Sequence, residues 1–99
     1  MRQIEKQMLE AIKNGSSMSV SNTQVVQRDG YCDVLLHGNH IARIFTDGRG
    51  EFTLAGWDTP TTRSRLNALG VGVYHEKKQP VFSGMVILSD EWYGFNFDK

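Results

Sequence analysis

Along residues 3–14, QIEKQMLEAIKN, the apolar positions Ile4, Met8, Ala11 and Ile12 fall at i, i+4, i+7 and i+8. That spacing confines the apolar side chains to one stripe, so the segment predicts an amphipathic helix that needs a surface to lie on. Gly15 is the natural stop, because glycine enters the left-handed conformation that ends helices without a steric cost. The next six residues, SSMSVS (16–21), are mostly polar and read as a short connector.

From Asn22 to Ala55 the pattern changes to short β-branched and aromatic runs broken by DG (29–30), GN (38–39) and DGRG (47–50). Such dipeptides between apolar runs mark hairpin turns, which predicts a meander of four strands over residues 23–28, 31–37, 40–46 and 51–55. A two-residue turn at Gly38 and Asn39 sets His37 opposite His40 and Leu36 opposite Ile41. In that register Cys32, Val34, Leu36, Ile41 and Phe45 share one face, while Leu35, Ala42 and Ile44 share the other. Both faces then need cover.

The stretch GWDTPTTRSRLNALG (56–70) interrupts the strands. Thr59 has the side chain of an N-cap, Pro60 fits the first helical position, and Gly70 falls just past the end, which predicts a helix of about three turns. At 100° per residue, Leu66, Leu69 and Thr62 share the buried side. Arg63 and Arg65 land on its two flanks, and Ser64 reads as a dispensable surface position. Residues 71–76, 80–83 and 85–89 return to strand character around a KKQ turn, and the chain closes on the aromatic tail WYGFNFDK. The class is α+β: a single domain over residues 1–99, with an antiparallel β meander, a C-terminal hairpin, and an N-terminal and a central helix packed on the sheet.

Composition narrows the functions. A chain of 99 residues with 39% hydrophobic content supports one modest core. Eleven basic and eleven acidic side chains cancel, so no global field draws the chain to nucleic acid or anionic membrane, and charge-driven binding must be local. Cys32 is the single cysteine and has no internal disulfide partner. The aliphatic run MVIL (85–88) is too short to span a bilayer, and no secretory apolar segment follows Met1, so the expected compartment is the cytoplasm, away from membranes.

Candidate chemistry centres on the start of the second helix. Free N–H groups there, the hydroxyls of Thr59, Thr61 and Thr62, and Arg63 or Arg65 form a candidate seat for an anion or nucleotide, with Trp57 available to stack a base. The plainer reading has the arginine stems covering the helix–sheet seam, Asp58 as a partner, and Trp57 as a packing staple. His37 and His40 facing one another suggest a metal pair completed by His75 or Cys32. Their spacing matches no recognised zinc pattern, so ordinary hydrogen-bonded histidines are the expectation, with no metal and no cofactor. The chain carries no P-loop, no dinucleotide fingerprint, no nucleophile elbow and no metalloprotease helix, and carboxylates such as Glu51 and Asp58 are scattered, so an enzyme is not expected. Arg43, Arg49, Arg63, Arg65, Lys77 and Lys78, with Trp57 or Tyr74, are candidates for a nucleic-acid surface, against which the neutral net charge weighs. In the tail, Tyr93, Phe95 and Phe97 alternate with Trp92. These four read either as an edge strand that closes the core or as an apolar patch that docks a protein partner or a second copy of the chain.

Three motifs in order, Asn22-Thr23 with Val25, LHGNHIA (36–42), and Gly56-Trp57 followed by Thr59, Thr61, Thr62 and Arg65 to Leu69, resemble small accessory proteins of tailed bacteriophages. The resemblance covers about residues 22–83 and carries no catalytic or binding role to any position. It implies a phage protein made inside a bacterium, where binding and blocking a host or defence protein is a common task. The expected function is therefore a non-catalytic accessory or inhibitor protein that binds a bacterial host or defence protein. The second reading is a nucleotide- or nucleic-acid-binding module built on the start of helix 59–69.

Overall fold

The structure, a computed structural model, describes residues 1–97. Helix α1 (Gln3–Asn14) buries Met8, Ala11 and Ile12 and ends at Gly15, whose φ is 68°. The following segment is more than a connector. Met18–Val20 forms β1 and pairs antiparallel with β2 (Thr23–Gln27), with Val20 opposite Thr23. A three-residue strand suffices there because an edge position asks only for backbone pairing on one side, and Met18 packs against the core. Side chains reinforce it: the Gln27 N–H donates to Ser17 Oγ at 3.0 Å, and Gln27 Nε2 donates to the Ser16 carbonyl at 3.0 Å.

The meander continues through β3 (Tyr31–Leu36), β4 (Asn39–Phe45) and β5 (Arg49–Phe52). Its central turn differs from the sequence expectation. The two turn residues are His37 and Gly38, both with positive φ (52° and 78°), so Leu36 opposes Asn39 and Leu35 opposes His40. Positive φ at both positions gives the turn the twist of the flanking strands. Ile41 is then an extra residue on β4, and beyond it Val34 opposes Ala42 and Cys32 opposes Ile44. This bulge moves Ala42 and Ile44 onto the core face with Cys32, Val34 and Leu36, and Ile41 is buried as well. Phe45 moves the other way and lies opposite Tyr31 on the outer face. Because the bulge places five β3–β4 apolar side chains plus Ile41 on the inside, the outer face needs less cover than a regular hairpin would.

Helix α2 (Pro60–Ala68) is capped as the sequence predicts, with Thr59 Oγ1 accepting from the Thr62 N–H at 3.2 Å. Thr62, Leu66 and Leu69 are buried. Both helices contribute to the core formed with Val25, Val34, Ala42 and Ile44, so they lie on one side of the sheet. The chain then builds a second sheet, β6 (Tyr74–Glu76), β7 (Gln79–Phe82) and β8 (Met85–Val86). Its turns are two residues each, Lys77–Lys78 and Ser83–Gly84, again with positive φ throughout. Strand β9 (Tyr93–Asn96) returns to the large sheet and pairs antiparallel with β5, giving the order β1-β2-β3-β4-β5-β9. Phe52 joins the parts: its ring centroid lies 4.8 Å from Phe82 of the small sheet, 5.7 Å from Tyr93 and 5.9 Å from Phe95.

Candidate functional site

Of the two arginines assigned to the helix start, Arg65 points into the protein. Its side chain is 4% exposed and its Nη1 donates to Glu5 Oε2 at 2.8 Å, while Nε donates to Thr23 Oγ1 at 2.9 Å. The guanidinium therefore does not rest in water on the helix–sheet seam. Ser64 also departs from the sequence reading, because its hydroxyl donates to Glu5 Oε2 at 2.6 Å. Burial opposes ionisation of Glu5, but hydrogen bonds from Ser64, Arg65 and the Arg2 N–H, with the Arg65 charge, outweigh it and hold the carboxyl below the usual glutamate range. A charge buried this deeply needs such a full set of donors.

Arg63 is paired as well. Its Nη1 donates to Asp58 Oδ1 at 2.6 Å and lies 2.9 Å from His75 Nε2, which also hydrogen-bonds Asp58. The cluster ties the loop before α2 to β6.

Thr59, Thr61 and Thr62 remain at the helix start. With Leu54, Ala55 and Trp57 they form one wall of a cleft of about 470 Å³. The opposite wall is the β3–β4 hairpin end, through Leu36, His37, Asn39 and Ile41. Two segments far apart in sequence, LHGNHIA and GWDTPTT, are thus brought face to face. Trp57, 60% exposed, stands at this junction without being a staple.

The aromatic tail divides as its alternation predicts. Phe97 is buried, Tyr93 and Phe95 are half-buried against Phe52, and Trp92 is exposed. Further exposed apolar side chains lie on and beside the small sheet. Tyr74 and Val86 flank Val81 in register, and Val81 is buried apart from the main core. Met85, opposite Phe82 on the other face of the small sheet, and Leu88 are exposed as well. The Gly56 N–H donates to the Ser89 carbonyl at 2.8 Å, which brings the Trp57 loop alongside the chain leaving β8.

A polar constellation that sequence reasoning missed lies on the outer face of the large sheet. Asp33 is 3% exposed and receives Arg28 Nε at 3.3 Å and Arg43 Nε at 3.2 Å, with His40 Nε2 at 3.6 Å. The Arg43 guanidinium lies 5.0 Å from the Tyr31 ring centroid and 5.9 Å from that of Trp92. The only sequence signal was an aspartate alternating with core residues in a strand, opposite an arginine once the bulge is known. His37 and His40 do not face each other, and among the described residues no three His, Cys, Asp or Glu side chains are grouped to hold a metal. No helix of the described residues is long and apolar enough to cross a membrane.

The fold is that of a small α+β protein, and comparison places it among phage proteins. The chain belongs to the Kyanoviridae Gp96 protein family, whose profile it matches over residues 1–98, including the N-terminal helix and the aromatic tail that the motif resemblance left out. No curated protein and no solved structure matches the chain.

Proposed function

We propose that the chain is a non-catalytic phage accessory protein that acts in the host cytoplasm by binding a bacterial host or defence protein and blocking it. The observation that carries this reading is the distribution of exposed large apolar side chains. Of the eight, six lie between residues 57 and 92: Trp57, Tyr74, Met85, Val86, Leu88 and Trp92. Apolar groups scattered singly need no explanation, but Tyr74 and Val86 flank Val81 on one face of the small sheet, a patch of the kind that a partner covers, with aromatic side chains as anchors. Phe97, Tyr93 and Phe95 turn toward the core, so the contact surface proposed from the tail contracts to Trp92 and extends to Trp57 and the small sheet.

Capture of proteins from host lysate on the immobilised chain tests this, with nuclease-treated and untreated samples compared. The expected result is a protein retained after nuclease treatment by the parent and lost with Trp57→Ala and Val86→Ser, both variants melting near the parent. Retention that disappears with nuclease, or that both variants keep, would overturn it.

A further inference from the structure

We infer that the outer face of the large sheet binds single-stranded nucleic acid, at a site that shares only Trp92 with the apolar surface proposed for a protein partner. Both helices occupy the other face, so this one is open among the described residues. The buried Asp33 carboxylate takes both arginines through Nε. That geometry fixes the two guanidinium planes and leaves the terminal nitrogens of Arg28 and Arg43 with no hydrogen-bond partner among the described residues. Their side chains are 49% and 37% exposed, so these donors are free to meet a ligand. One carboxylate faces two guanidinium groups and an imidazole, so Asp33 alone does not neutralise both arginines. Such forks match the oxygens of a phosphodiester.

The aromatic side chains choose the polymer. Arg43 lies over both Tyr31 and Trp92, and Trp92 is 42% exposed. Beside it, Gly94 faces Glu51 in register, so no side chain on β9 screens the tryptophan from that side. An exposed aromatic ring beside a guanidinium pair suits an unstacked base with its phosphate. A duplex keeps its bases stacked inside and offers only phosphates. Glu51, which opposes Arg43, and the Arg49–Asp47 pair balance the rest of the face. Binding is therefore led by stacking, with two phosphates neutralised rather than many.

The test is fluorescence anisotropy of a labelled single strand of about 15 nucleotides, within the span that such platforms cover. Anisotropy should rise saturably, unlabelled single strand should compete, and duplex DNA and polyglutamate should not. The salt dependence should be shallow, with a log–log slope of about −1.4 for two phosphates. Trp92→Ala should weaken binding about tenfold while melting like the parent, and Trp92→Phe should retain most of it. Arg28→Gln, which leaves Asp33 paired with Arg43, should flatten the slope by about 0.7. Absence of binding, equal competition by duplex or polyglutamate, or a Trp92→Ala variant that binds as the parent does would overturn the proposal. These outcomes are independent of protein capture through Trp57 and Val86.

Discussion

Arg65 shows how far a residue's neighbours in sequence mislead about its surroundings. In PTTRSRLNA it looks like a solvated flank of α2, yet its guanidinium meets Glu5, a residue of α1 some 60 positions away. Breaking such a buried pair leaves one charge uncompensated, so Arg65→Ala should cost about 3–5 kcal/mol, read from urea denaturation. Replacing both partners with methionine should recover most of that loss, because an apolar pair of similar volume fits where an unpaired carboxylate does not. A single variant that equals the parent would show the pair to be open to water. Thr59→Ala should cost on the order of 1 kcal/mol, since it strips the Thr62 N–H of its acceptor before Pro60. That cap was legible from Thr59, Pro60 and Gly70 alone, because capping is local. The Glu5–Arg65 contact was not, because it exists only once two helices share a sheet face.

Elements follow the same division. Helices α1 and α2 and the meander could be read from periodicity and turn residues, but the β3–β4 register could not. The GN signal placed the turn one residue late, and nothing in HGNHIA announces that Ile41 is an extra residue. A one-residue error in pairing exchanges the two faces of a strand, which is why the sequence separates Ala42 and Ile44 from Cys32 and Val34 where the structure puts them together. Docking of α1 depends on an ionised Glu5, whose carboxyl titrates below its ordinary value. A lowered pKa in the folded state means that the contribution is complete at neutral pH and is lost as pH falls below the usual glutamate value of about 4.3. Thermal melts between neutral pH and pH 3 should therefore fall more steeply for the parent than for Glu5→Gln, and parallel curves would contradict this. At the other end of the chain, a Cβ on Gly50 would stand 2.7 Å from Phe95 Cε1. Gly50→Ala should push that ring aside and speed amide exchange in β9 with a smaller change in α1, whereas unchanged exchange would show that the ring swings clear.

At the scale of the molecule, the core and most of the exposed apolar side chains occupy different places. The core around Phe52 and the Glu5–Arg65 pair hold the helices and the large sheet together, while the exposed apolar side chains gather on the Trp57 loop and the small sheet. Equal numbers of acidic and basic side chains leave no global field, and the structure pairs Arg63 with Asp58 and Arg43 with Asp33. The Trp57 surface was only half legible, because exposure of an aromatic is decided by what the fold leaves uncovered. The most direct measurement takes one variant carrying Trp57→Ala, Tyr74→Ala and Val86→Ser through both a thermal melt and host-lysate capture. Exposed anchors contribute little to the fold and much to a contact, so a melting temperature within a few degrees of the parent and loss of the captured protein are expected. A variant that unfolds early yet, while still folded, captures the same protein would show that these side chains belong to the core and that recognition lies elsewhere.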